Sequence, residues 1–415
     1  MRKKFIEMKT IEDILKERVM VLDGSMGALI QQRGLNGEVH GNNDMLVITN
    51  PDAIRQIHRE YLEAGADIIE TNTFNAQRIS QAEYHTEQYI EEINRRAAQL
   101  AREEADRMTA LTPDKPRFVA GSIGPTGKTA SMSPNVDDPA MRAVTYDELF
   151  EAYREQIGAL MEGGVDVLLI ETIFDTLNAK ATVMAAESVF EDKGRRLPIM
   201  LSITIADAAG RMLTGQSIEA FVATVMHFHP LSIGINCSFG PAQLRPFIKQ
   251  LRKAAPCYVS AYPNAGLPNA LGEYDETPES MAAYMRTLVS EGLVDIVGGC
   301  CGTTPEHIRV LGHECQSAAH QRNAAPKVAW LAGIDAFTPM EGTFINVGER
   351  CNVAGSRKFL RLINEKQYDE ALTIARKQVR DGAMLLDINM DDGMLDAKAC
   401  LLYTSDAADE GLGVD

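Results

Sequence analysis

Eight short runs of consecutive apolar residues, most of them separated by helical stretches, constrain this chain more than any other feature. They fall at 19–22, 66–70, 117–121, 165–171, 198–205, 231–236, 257–261 and 293–298. Three share a lead-in in which a helix stops at glycine and a buried-looking strand follows at once: Gly65-Ala66-Asp67-Ile68-Ile69-Glu70, Gly164-Val165-Asp166-Val167-Leu168-Leu169-Ile170-Glu171 and, more loosely, Gly292-Leu293-Val294-Asp295-Ile296-Val297. A strand that is apolar at nearly every position must be covered on both faces, as in a parallel sheet flanked by helices. Eight such units predict a (β/α)8 TIM barrel, a fold of roughly 250 residues or more. A doubly wound open sheet is the alternative the pattern allows.

At 415 residues and 45% hydrophobic, the chain exceeds one average domain and can bury a large core. The barrel is assigned to 1–325, and 326–341, which carries Ala325-Pro326 and Thr338-Pro339, reads as a linker. A strand over 343–347 then leads into Gly348-Glu349-Arg350-Cys351-Asn352, a helix over about 366–380 stops at Gly382, and a strand follows over 384–391. This β-α-β order makes 342–400 the incomplete start of a second α/β barrel. Residues 401–415 leave the pattern and read as a non-native tail translated from adaptor DNA.

The formal charge of −17 and the lack of a Lys/Arg cluster argue against nucleic acid as a partner. Acidic residues at Glu7, Glu12 and Asp13 interrupt the N-terminus, so no signal-type apolar core is expected, nor any span of a membrane. A cytoplasmic location is the expectation. Seven cysteines in so long a chain suggest thiols or metal ligands rather than a disulfide framework.

Active sites of such barrels lie at the C-terminal ends of the strands. Asp23, Glu70, Glu171, Cys237, Asn264, Cys300 and Cys301 all fall there. The eighth run ends in Gly298-Gly299-Cys300-Cys301-Gly302, where glycines permit the turn that lets neighbouring thiols face one point. The sixth run ends in Asn236-Cys237. Three such thiols fit an open zinc site, in which three protein ligands leave a fourth position free. The spacing alone equally permits packing of small buried residues or a vicinal redox pair at Cys300-Cys301. Three other features carry no chemistry: Ser122 breaks a phosphate-loop pattern that would end at Gly127-Lys128-Thr129, His227 and His229 precede the sixth strand, and Cys257, Cys315 and Cys351 are scattered.

With these motifs in view the chain resembles the N-terminal part of the cobalamin-dependent methionine synthase family. The resemblance is carried by Leu22-Asp23-Gly24-Ser25-Met26-Gly27, Glu70-Thr71-Asn72-Thr73-Phe74, Asn236-Cys237, Pro263-Asn264-Ala265-Gly266 and Gly298-Gly299-Cys300-Cys301-Gly302, then by Asn346-Val347-Gly348-Glu349-Arg350-Cys351-Asn352 and Asp387-Ile388-Asn389-Met390-Asp391. It implies a homocysteine-binding barrel and the opening of a methyltetrahydrofolate-binding one. Cys237, Cys300 and Cys301 are then zinc ligands, and Asn264 offers a fourth oxygen before substrate arrives. The turn Asp23, Gly24, Ser25 and Met26 receives the amino acid's carboxylate, and Glu171 its ammonium. Asn352, Asp387 and Asn389 are pterin contacts, although an unfinished barrel is not expected to bind folate. The implied reaction is methyl transfer from methylcobalamin to a homocysteine thiolate, with the cobalamin-binding domain as partner. The alternatives are a barrel that works alone with S-methylmethionine or betaine, and a non-catalytic zinc-binding module.

Overall fold

The computed structural model describes residues 9–36, 40–138, 141–267, 274–316, 331–337 and 344–397. Its contacts divide the chain into one unit of Met1–Ser131 with Val144–Phe337 and a second of Met132–Ala143 with Thr338–Asp415. Residues 401–415 lie outside the described residues, as does most of the expected linker.

The first unit contains eight parallel strands: β1 (Met20–Val21), β2 (Ile68–Glu70), β3 (Phe118–Ile123), β4 (Val167–Ile173), β5 (Ile199–Ile203), β6 (Ser232–Asn236), β7 (Tyr258–Tyr262) and β8 (Ile296–Val297). Each of β2 to β8 pairs with the strand before or after it in sequence, and β1 pairs with β8. A parallel bridge between Leu22 and Ile68 joins the remaining edges. The eight runs read from sequence thus become the staves of one closed (β/α)8 barrel, and the open-sheet alternative falls away.

Alternation along the staves explains the continuous apolar runs. Met20, Leu22, Ile68, Val167, Leu169, Met200 and Ile296 point inward to one buried cluster, while Val19, Val21, Ile69, Leu168, Ile170, Leu201 and Val297 point outward to the layer under the helices. A short helix, Ile11–Leu15, started by a Thr10/Asp13 capping box, adds Ile11, Ile14 and Leu15 to the inner cluster. The helices Pro51–Ala64 and Tyr146–Gly163 both end on left-handed glycines, Gly65 and Gly164.

The aspartate in each repeated lead-in has a structural task at the N-terminal end of its strand. Asp67 accepts the Val21 N–H at 2.9 Å and binds Arg18, Asp166 accepts the Val119 N–H at 2.7 Å and binds Arg102, and Asp295 accepts the Val259 N–H at 2.7 Å and binds Arg252. Each carboxylate therefore ties a neighbouring stave to an arginine, at the end of the barrel where stability rather than catalysis is built.

Above β1 and β2, buried Asp44 accepts the Asn75 N–H at 2.9 Å. Burial pushes its carboxyl up to about 7. The native state then holds a proton that the unfolded chain releases near pH 4, so stability falls as pH rises from about 4 to about 7. Asp44→Asn is expected to remove that loss: urea titrations should show wild type weakening relative to the variant by up to roughly 4 kcal/mol across this window.

Within the segment expected to be a linker, β9 (Leu331–Ala332) and β10 (Ala336–Phe337) form an antiparallel pair. The Ser217 N–H donates to Ile334 O at 2.8 Å, and Arg211 pairs with Asp335. These residues fold onto the barrel unit because a two-residue hairpin strand gains its partners there. In the second unit β11 is Val347–Asn352, not 343–347, and lies parallel to β12 (Leu385–Asn389). The helical stretch is also longer than expected, Arg357–Asn364 followed by Tyr368–Arg380. Cys351, Phe359, Leu362, Ile363 and Ala371 form its small core. Sequence misplaced β11 because only Cys351 of that strand is buried, so it carries little apolar signal. Among the described residues no helix is long and apolar enough to cross a membrane.

Candidate metal and substrate site

The three thiols meet at the C-terminal mouth of the barrel. The sulfurs of Cys237, Cys300 and Cys301 lie within 4.8 Å of one another, a grouping able to hold a metal ion. Cys237 and Cys301 are 3.6 Å apart, sulfur to sulfur, as free thiols.

The loop after β8 is clamped from both sides. Gly299 N–H donates to Asp23 O at 3.1 Å, Cys300 N–H to Pro263 O at 2.8 Å, and Ala265 N–H to Cys301 O at 2.9 Å. A Cβ on Gly299 would lie 2.5 Å from Thr303 Oγ1, so only glycine lets the loop turn this tightly. Cys237 sits at φ 62°, a left-handed conformation costly for a residue with a side chain. Such strain persists only where surrounding bonds hold it, and Asn264 Nδ2 donates to Cys237 O.

Asn264 spans two ligand loops. Its Oδ1 accepts the Cys301 N–H at 3.1 Å while its amide nitrogen holds Cys237, so it braces both. Asn236 is the second brace. Its Oδ1 accepts from Thr172 N at 3.1 Å and Ser202 Oγ at 2.7 Å, and its Nδ2 donates to Thr172 Oγ1 at 2.9 Å and faces Cys300 Sγ at 3.9 Å.

Thr172, at φ 56°, sits where the β4–β5 register shifts between Ile170 and Ile173. This irregularity re-aims the neighbouring side chain. Glu171 is 4% exposed and accepts from Ser122 Oγ at 2.6 Å. Burial pushes its carboxyl up to about 7. Burial, reinforced by Glu171 and Asp23, raises Glu70 well above the carboxylate range, and burial does the same to Asp23. Asp23 Oδ2 accepts the Glu70 N–H at 3.0 Å, whereas its Oδ1 is buried without a hydrogen-bond partner. Beside the thiols lies a floor of three carboxylates short of a cation. Sequence placed all three at strand ends but gave no sign that they adjoin, because residue order does not fix the distances between side chains at three different strand ends.

The turn at Asp23–Met26 is less open than expected. Ser25 N–H is taken by Thr303 Oγ1 at 3.1 Å, and Ser25 Oγ caps the helix Met26–Gln32 by accepting from Ala28 N. In the second unit Asn352 Oδ1 accepts from Ala354 N at 2.9 Å and Asn389 Oδ1 from Asp391 N at 2.7 Å, while Asp387 is exposed. Asn352 and Asn389 are register partners.

Proximity favours ionisation of one thiol and opposes it at the other two. Hydrogen bonds from Cys237, Cys300 and then Tyr274 hold Cys301 down to about 3. Although its bond with Cys300 favours ionisation, Cys237 is pushed up to about 12 by its bond to Cys301 and by burial, and Cys300 is raised by its bonds to Cys237 and Cys301 and by burial. A divalent cation among the sulfurs reverses that opposition and lets all three ionise.

The family model described as homocysteine S-methyltransferase matches residues 20–315, and one described as pterin binding enzyme matches 348–401. Among solved structures, the homocysteine methyltransferase MmuM from Escherichia coli is similar in its metallated form at 24% identity and a TM-score of 0.56. Its oxidized form is similar at 22% identity and a TM-score of 0.60. Each alignment covers 72% of this chain and 97% of the other. At these identities the likeness is one of fold.

Proposed function

We propose that this chain, which belongs to the homocysteine S-methyltransferase family, works as the zinc-dependent homocysteine-activating module of a methionine synthase, delivering a homocysteine thiolate to methylcobalamin. The convergence of three sulfurs within 4.8 Å at the barrel mouth carries the reading. Cys237, Cys300 and Cys301 fit zinc, a borderline-soft ion that favours thiolates and tetrahedral sites. When bound, zinc keeps a substrate thiol ionised near neutral pH, and three thiolate ligands preserve its nucleophilicity better than neutral imidazoles would.

The chain's own residues do the rest. Asn236 and Asn264 hold the ligand loops, so the thiols need little rearrangement on binding a metal. The ammonium of homocysteine enters the floor of Asp23, Glu70 and Glu171, supplies the donor that Asp23 Oδ1 lacks, and returns these carboxyls toward ionisation. The turn at Gly24–Met26 meets the amino acid's carboxylate at the start of the helix Met26–Gln32. Fixing the amino acid at both ends places its sulfur reproducibly, which is how positioning lowers the barrier of a displacement.

The likeness of 348–401 to a pterin binding enzyme supports the corrinoid and folate-linked form of the reaction, with a cobalamin-binding domain as partner. A second reading, a barrel acting alone on S-methylmethionine or betaine, is favoured by the alignment of this barrel with 97% of the E. coli methyltransferase. Methionine formation from homocysteine, assayed with each donor in turn, separates them. Zinc-dependent turnover with methylcobalamin is expected, and turnover confined to the small donors would reverse the choice.

A further inference from the structure

The loop carrying Cys300 and Cys301 runs directly into the helix Pro305–Gln316, and buried His307 sits at that junction. Thr304 N–H donates to His307 Nδ1 at 3.2 Å, so the ring proton lies on Nε2, which donates to Glu276 O at 3.0 Å. The first contact is that of a capping box, in which the third helical residue ordinarily answers with a Glu or Gln side chain. The second is not needed for capping, and it joins residues 31 apart in sequence.

From Glu276 the contacts lead back to the thiols. Glu276 N–H donates to Ala265 O at 3.1 Å, and Ala265 N–H to Cys301 O at 2.9 Å. Asn264, the residue before Ala265, holds Cys237 O and the Cys301 N–H. Ile308, Leu311 and Cys315 bury the helix in the layer around the barrel, which makes it a fixed post. Through Glu276, His307 therefore ties to that post the segment on which both ligand loops lean. A Cβ on Gly302 would overlap Tyr274 Cγ, so the same strap also packs on the cysteine loop itself.

We propose that His307 is a positioning residue for the metal: its Nε2–H holds Glu276 O, and this tie keeps Cys237 and Cys301 ordered before the ion arrives. Without it the loops are ordered only at the expense of binding energy, and zinc is held less tightly. The inference rests on the zinc reading above and adds to it a determinant in the helix beyond the last ligand.

The test measures the zinc affinity of the full chain by competition with a chromophoric chelator, with the melting temperature recorded alongside. His307→Asn keeps an acceptor near the Nδ1 position but cannot reach Glu276, and it is expected to raise the zinc Kd about tenfold. His307→Gln restores an amide donor with that reach and should return the Kd to within about threefold of wild type. Glu276→Pro leaves His307 in place and deletes the N–H that reaches Ala265 O. It should weaken zinc as His307→Asn does, and it decides the matter if the buried substitution fails to fold. Zinc held as tightly as in wild type by His307→Asn or by Glu276→Pro, or lost alike in the Asn and Gln variants, makes the imidazole mere packing and overturns the inference alone. Wild-type protein that takes up no zinc removes the metal reading and this inference with it.

Discussion

Cys237→Ala is expected to lose zinc and, with it, high-affinity homocysteine binding, while the barrel stays folded. Four-ligand thiolate sites of the zinc-finger kind are worth roughly 10–16 kcal/mol, so one ligand carries on the order of 3 kcal/mol, about two orders of magnitude in affinity. The fold should survive because Cys237 is half-buried at the mouth and belongs neither to the inner cluster of Met20, Leu22, Ile68, Leu169, Met200 and Ile296 nor to the outer layer under the helices. Metal content by mass spectrometry should fall from about one zinc per chain to a small fraction at equal free zinc, with the melting temperature within about 3 °C of wild type. Unfolding of the variant, or of chelated wild type, would make the metal a structural staple and weaken the catalytic reading.

Asp295→Ala is expected to have the opposite profile, a large loss of stability with the mouth chemistry untouched in whatever protein folds. Arg252 Nη1 lies 2.9 Å from Asp295 Oδ2, and the two side chains are 4% and 0% exposed. The same carboxylate accepts the Val259 N–H. Alanine would leave a buried guanidinium without its counter-charge and a stave without its tie, a change that costs about 3–5 kcal/mol. Asp295→Asn, which keeps an acceptor but not the charge, should recover part of that loss. Urea unfolding of the three proteins measures it, and a cost below about 1 kcal/mol for the alanine variant would show that the pair contributes no more than a surface bridge.

These two cases show where reading the chain as a string succeeds. Asp295 stands in a lead-in that recurs at Asp67 and Asp166, so its importance was visible as a repeat, though not the arginine that answers it. The cysteines were visible because barrel strands end where chemistry is placed, and Cys237, Cys300 and Cys301 stand at two such ends. Asn264 was assigned a metal-facing oxygen, and nothing in the sequence showed that the same oxygen accepts the Cys301 N–H. A side chain with both a donor and an acceptor gives no sequence sign of which it will spend, or where. Thr172 shows the same limit: nothing in a β-branched residue inside an apolar run announces a left-handed φ, which exists because Asn236, 64 residues away, grips its N–H and hydroxyl. The hairpin at 331–337 was read as linker because two-residue strands carry no periodicity.

Local composition determined the barrel, since a strand apolar on both faces has few other homes, and it determined which thiols would be carried to the mouth. Closure through Leu22 and Ile68 decided the rest. It set Asp23 beside Glu70, whose N–H it accepts, and so joined Asp23 to the acids at the ends of β2 and β4. Such relations depend on distances across the ring, and residue order constrains those only after every stave has found its neighbour.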